Sequence, residues 1–139
     1  MEHVAFLSNK LRLLDKIVNG SKTIESRWYV TKKAPFGVIA VNDVIYFKET
    51  GEKVSVKALV SDLKFFYDLD YEKIKNIIFE YGSRIGVGLD YADRIIDKKM
   101  CALIFLKDVE KIEPFEIDKK GFGNMCAWIS VDDIDNIKK

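Results

Sequence analysis

Hydrophobic positions along this chain alternate between a period of two and a period near 3.6, and the switches divide it into elements. Val4 to Leu7 is a short apolar run that predicts a first strand. Leu11, Leu14, Ile17 and Val18 then recur at helical spacing, with Ser8 or Asn9 able to cap and Gly20 placed to end the turn, so a helix is predicted over 9–19. Thr23 and Ile24 favour an extended strand over 22–27. Pro35 and Gly37 mark a loop, Val38 to Val41 is apolar, and Asn42-Asp43 is a turn signal. Val44 to Lys48 and the alternating Val54 to Val60 read as two strands joined across the polar segment 49–53. Phe65, Phe66 and Tyr67 end that strand or begin the bend after it.

Ile74, Ile77, Ile78 and Tyr81 form an apolar stripe behind Asp70, which predicts a helix over 71–81 closed by Gly82. Segment 83–88 then reads as a loop, 91–98 as a short helix capped by Asp90, and 101–106 as a buried strand that 109–112 extends or follows. Pro114 marks a break or a sheet edge. A loop over 119–124, a last strand over 125–131 and a terminal helix capped by Asp132 or Asp133 complete the order. The pattern holds an antiparallel hairpin and groups its helices instead of alternating them with strands, which argues for α+β and against a doubly wound α/β fold.

Composition narrows the function. The 139 residues suit one domain spanning 1–139, and 48% apolar with 32% charged residues describes a globular chain. A formal net charge of +1 excludes a basic footprint over the whole surface, so any nucleic-acid site is a local patch. Two cysteines, Cys101 and Cys126, offer neither a zinc site nor a CxxC pair and read as small core residues, and Trp128 in the last strand reads as core too. The only histidine, His3, is expected to be an exposed terminal residue, which removes multi-histidine metal sites and Ser-His-Asp chemistry. No metal or cofactor is expected. No signal peptide and no apolar run of membrane-spanning length is present, so the cytoplasm is the expected location.

Gly20, Lys22, Glu25 and Arg27 form a G-x-K-x-x-E-x-R pattern at a helix-to-strand junction, and Asn42-Asp43 then precedes the apolar strand Val44-Ile45-Tyr46-Phe47. This combination resembles the ASCH domain family, a relative of the PUA fold. All four signature positions match. The family's turn is usually Gly-Asp; here Asn42 replaces the glycine, and asparagine tolerates the positive φ such a turn needs. The resemblance rests on 4–60, with only the order of elements beyond Lys64. It implies a PUA-like, mostly antiparallel β-barrel with flanking helices, and a cleft for RNA or a nucleoside or nucleotide ligand.

On a strand Thr23, Glu25 and Arg27 share one face and Ile24 and Ser26 the other. Glu25 and Arg27 then sit side by side, an acceptor pair beside a planar fork of donors, with Lys22 adding a point charge toward a phosphate. On spacing alone, a solvated ion pair worth at most about 1 kcal/mol is the favoured account of them, and the family resemblance turns the balance toward a functional cleft. Trp28 and Tyr29 follow, as a stacking surface or as core, and Lys32 and Lys33 as phosphate contacts or as a solvated loop. Arg84, beside a G-x-G in segment 83–88, is a candidate lid residue.

Two functions are open at this level. The first is an RNA- or nucleotide-binding module using Lys22, Glu25, Arg27, Trp28, Tyr29, Lys32, Lys33 and Arg84. The second is a small metal-independent hydrolase in which Lys22 and Glu25 are catalytic. Some ASCH-like proteins are amidohydrolases on an acylated cytidine, with a threonine three residues after the lysine; Glu25 stands there in this chain. A related line is associated with RNA cleavage using a lysine and a tyrosine, for which this chain offers Tyr29 and Tyr46. A closed pocket walled by Lys22 and Glu25 would favour the hydrolase, and an open basic groove would favour RNA.

Overall fold

The computed structural model describes residues 1–123 and 126–139. Six strands form one sheet: β1 (Glu2–Leu7), β2 (Ile24–Tyr29), β3 (Val44–Glu49), β4 (Val54–Phe66), β5 (Met100–Phe115) and β6 (Trp128–Val131), in the spatial order β2-β5-β4-β3-β1-β6. Only β1 and β3 pair in parallel; every other neighbouring pair is antiparallel. The sheet curls into a half-barrel with helices α1 (Leu13–Asn19) and α2 (Tyr71–Ile85) against it, the α+β, PUA-like architecture expected from the sequence.

Alternation along the strands sorts the core into layers. Ala5, Leu7, Ile45, Phe47, Val56, Ala58, Val60 and Ile104 point into the curl, and α1 plugs its end with Leu14 and Ile17. On the outer face of β2 and β5, Ile24, Trp28, Cys101 and Leu103 meet the apolar stripe of α2. On the other side Val4, Val54 and Ile129 pack against Ile134 and Ile137.

Several boundaries differ from the sequence reading. The helix predicted over 9–19 is split: Asn9–Leu11 forms a 3₁₀ turn capped by Ser8, Arg12 takes a left-handed φ of 54°, and α1 begins at Leu13. Leu11 and Leu14 would share a face of one continuous helix, but the break turns Leu11 toward an open cleft while Leu14 enters the barrel. Helix α2 runs through Gly82 to Ile85 and stops at Gly86, whose φ is 93°. Ile85, four residues after Tyr81, continues the buried stripe, and Gly82 is there for close approach, since a Cβ would lie 3.0 Å from the Val87 carbonyl. The next helical segment is a 3₁₀ stretch over Leu89–Ile95, capped by Gly88 and not by Asp90, and the terminal helix is a single 3₁₀ turn, Ile134–Asn136, capped by Asp133.

Strand β5 runs unbroken through Pro114, which is tolerated because β2, its partner on one side, ends its pairing at Phe105. Asn42 takes a φ of 75°, as its turn requires. The last strand begins at Trp128; Asn124 and Met125, the ends of the predicted loop and strand, lie outside the described residues.

His3 is also corrected. Its ring is wholly buried on the inner face of β1, with Nε2 2.8 Å from Asp43 Oδ2 and Nδ1 2.8 Å from Ser130 Oγ. Parity places it there: His3 alternates with Ala5 and Leu7, so it shares their inward face. These are the residue types of a nucleophilic triad. However, the Trp128 indole N–H lies 3.2 Å from the same His3 nitrogen, and the ring is sealed from solvent, so the group holds β1, β6 and the Asn42-Asp43 turn together.

Candidate functional site

Strand β2 is an edge strand whose free edge faces the end of β1 across the gap in the curl. An open cleft of about 410 Å³ lies along it. Its floor is Glu25 to Tyr29, one wall is Phe6 to Ser8 with Lys10, Leu11 and Leu13, and the other is Tyr91, Arg94 and Ile95 of the 3₁₀ stretch with Lys98 just beyond it.

Glu25 and Arg27 share the inner face of β2, and the Glu25 carboxylate organises the signature residues. Its Oε2 accepts from Arg27 Nη2 at 2.9 Å, while Oε1 lies 3.2 Å from Lys22 Nζ and accepts the Ser26 backbone N–H at 3.0 Å. All three side chains leave solvent: Lys22 is 1% exposed, Glu25 2% and Arg27 9%. Burial alone would raise the Glu25 pKa, but Lys22 and Arg27 outweigh it and hold the carboxyl below its ordinary value. For Lys22, burial pulls the pKa down against the opposing pull of Glu25. Three acceptors surround its nitrogen, so each ammonium proton has a partner.

Lys22 does not line the cleft. It turns to the C-terminus of α2, where the last carbonyls of the helix lack intrahelical partners. Nζ donates to Ile85 O at 2.8 Å and to Ile24 O at 2.6 Å, the Thr23 N–H donates to Arg84 O, and Lys16 Nζ donates to Gly86 O. The signature lysine is thus a cation at the negative end of a helix dipole, tying α2 to β2.

Arg27 closes the barrel. Its Nη1 donates to Ala127 O and its Nη2 to Phe6 O, both at 3.1 Å, so one guanidinium spans the gap between β2 and the β1/β6 edge, and it stacks 5.1 Å from the Trp128 ring. Its Nε–H is buried with no partner among the described residues.

The remaining candidates divide. Tyr29 lines the cleft; its hydroxyl donates to Ala34 O, and burial raises its pKa. The Trp28 indole packs into the α2 layer and donates to Ser26 Oγ at 3.0 Å, so the ring serves as core. Lys33 sits 4.8 Å over the Tyr29 ring, outside the cleft wall. Lys32 also lies outside it, against Gly37. Arg84 is on α2, not on a loop, bonded to Thr23 Oγ1 and stacked on Phe105, away from the cleft. The sequence reading missed Lys10, Tyr91, Arg94 and Lys98. The available signal was weak: Tyr91, Arg94 and Lys98 fall three and four residues apart and so face one way.

The class defined by this fold is a curled, mostly antiparallel half-barrel with an ionic cluster at its open seam. Among solved structures, the ASCH protein of Zymomonas mobilis has this fold: its crystal structure superposes with a TM-score of 0.68 at 17% identity, covering 94% of this chain and 87% of that one. Two point variants of the same protein superpose with TM-scores of 0.70 and 0.71, also at 17% identity, each covering 97% of this chain and 93% and 91% of theirs. No family model and no curated protein matches the sequence. Among the described residues no helix is long and apolar enough to cross a membrane, and no group of three or more His, Cys, Asp or Glu is placed to hold a metal ion.

Proposed function

We propose that the protein is an ASCH-type module that binds single-stranded RNA, or a nucleotide of the same chemistry, in the cleft along β2. The observation that carries this reading is the charge of the cleft. Lys10, Arg94 and Lys98 stand on its walls with no salt-bridge partner among the described residues, and its one carboxylate, Glu25, is already spent on Lys22 and Arg27. In a chain of net charge +1, this is a local site for a phosphate backbone. Past Tyr29, Lys33 and the exposed rings of Phe65 and Tyr67, both packed on buried Phe36, continue the surface with a cation and aromatic faces, which suits a strand leaving the cleft.

The hydrolase alternative draws less support. Both Glu25 oxygens are engaged, Lys22 is turned away from the cleft, and the cleft is open to solvent. The test is the affinity for a labelled single-stranded RNA across a salt series. Three phosphate contacts would give a slope of log K against log salt near −2, falling by about 0.7 for each of Lys10→Ser, Arg94→Ser and Lys98→Ser. Absence of RNA binding at low salt, or a slope the variants leave unchanged, would overturn the reading.

A further inference from the structure

The floor of the cleft is main chain, and its hydrogen-bonding state follows from strand parity. Odd-numbered residues of β2 turn their backbone groups toward β5, as the bond from the Leu106 N–H to Thr23 O shows. Even-numbered residues therefore turn theirs to the free edge. Two of these outward groups are occupied from within the chain. Lys22 Nζ donates to Ile24 O, and Glu25 Oε1 accepts the Ser26 N–H. The next two along the edge, the Ser26 carbonyl and the Trp28 N–H, have no partner among the described residues, and both residues line the cleft. Arg27, between them in sequence, also lines the cleft, and its Nε–H is buried without a partner among the described residues.

A carbonyl followed two residues on by an outward N–H is the pair that one residue of a parallel neighbouring strand would bridge, with its own donor and acceptor side by side. No such strand lies there among the described residues. Every nucleobase carries a donor beside an acceptor on its Watson–Crick edge, and that edge is free only in an unpaired nucleotide. The cleft volume, about 410 Å³, is at the lower end of small-molecule sites and suits one nucleotide, not a duplex.

We infer that the cleft takes one unpaired nucleotide base-first, its Watson–Crick edge on the Ser26 carbonyl and Trp28 N–H and its phosphate on Lys10, Arg94 and Lys98. This rests on the RNA-binding reading and adds a base subsite to it. The three occupied or paired groups around it, Lys22, Glu25 and the Arg27 amino nitrogens, keep the edge in register without touching the base.

The experiment compares four five-nucleotide RNAs, each of one base, with counterparts methylated on the Watson–Crick edge (N1 of purines, N3 of pyrimidines), by fluorescence anisotropy at low salt. In parallel, ¹⁵N spectra follow the Trp28 amide. The expected result is at least a tenfold weaker affinity for the methylated form of the best-bound RNA, and a downfield shift of the Trp28 amide proton with the unmethylated one. Arg94→Ser and Lys98→Ser should weaken both forms equally, leaving their ratio unchanged. Equal affinity for methylated and unmethylated RNA, or competition by duplex RNA as effective as by single strands, would overturn the base subsite while leaving RNA binding standing. If none of the RNAs binds, the RNA-binding reading itself falls and this inference with it.

Discussion

Glu25→Gln removes one charge and changes almost no volume, so it isolates what the carboxylate does. In the wild type two cations, one 1% and one 9% exposed, share this single anion. The amide keeps one oxygen as acceptor but turns an NH₂ toward one of the two cations, so Lys22 or Arg27 faces a donor. Removing one member of a buried ion pair typically costs about 3–5 kcal/mol, because the remaining charge stays desolvated. Against a total stability of about 5–15 kcal/mol this is a large share, equivalent to a fall in Tm of about 10–15 °C for a domain of this size. Urea and thermal unfolding followed by circular dichroism at pH 7 measure it. The sign with pH follows from the depressed Glu25 pKa: its contribution is fully present above the ordinary glutamate value of about 4.3 and is lost as pH falls through the lower, folded-state value. The penalty of Glu25→Gln should therefore shrink below pH 4. The double variant Lys22→Met/Glu25→Gln should recover part of the loss, since an apolar side chain needs no counter-charge. A Glu25→Gln protein within 1 kcal/mol of wild type at pH 7, with an unchanged urea slope, would refute the claim that the cluster is a buried, mutually dependent unit.

Burial lowers the His3 pKa against the opposing pull of Asp43, so the stability tied to its neutral ring is present above about pH 6.5 and declines as pH falls below that. Lowering the pH from 7.5 to 5.5 should reduce the Tm by about 2–4 °C, and His3→Gln should remove that component of the slope. Gly86→Ala places a Cβ at a φ of 93°, 3.3 Å from the Lys16 side chain, at the end of α2 that Lys22 caps. It should cost about 1–2 kcal/mol or more by urea unfolding, whereas Gly51→Ala, with the same φ sign but open space around it, should cost no more than the backbone term. Burial pushes the Cys101 thiol pKa up, so a thiol reagent at pH 8 should titrate half-buried Cys126 in the native protein and reach Cys101 only in urea.

The strands and α2 were legible because single-period patterns dictate them: the alternation from Val54 to Val60 leaves one register that buries Val56 and Ala58. The break at Arg12 was not, because Leu11 and Leu14 fit one helical stripe, and only the tertiary neighbours send them to different places. Strand parity put Glu25 and Arg27 on one face from spacing alone. What it could not supply was the direction of Lys22, which is set by the C-terminus of α2, a helix end the sequence reading placed four residues early. With Gly82 taken as the stop, the carbonyls of Arg84 and Ile85 were not seen as helix-end acceptors. Arg94 and Lys98 were hidden for a related reason: they matter through the cleft they line opposite Lys10, more than 80 residues earlier.

The reach of Arg27 also has a consequence for how the chain is made. Its guanidinium closes on the carbonyl of Ala127, separated from it by 100 positions, and β2 pairs with β5 through residues such as Ile104. A ribosome adding about 5–20 residues per second delivers Ala127 some 5–20 s after Arg27. Until β5 emerges, Lys22, Glu25 and Arg27 remain hydrated on an unpaired segment, and until Ala127 follows, the guanidinium lacks one of its two carbonyl partners across the seam. Nascent chains that end before β5 should therefore be sensitive to protease at β2, and the seam beside the binding surface should close only in the last stage of synthesis.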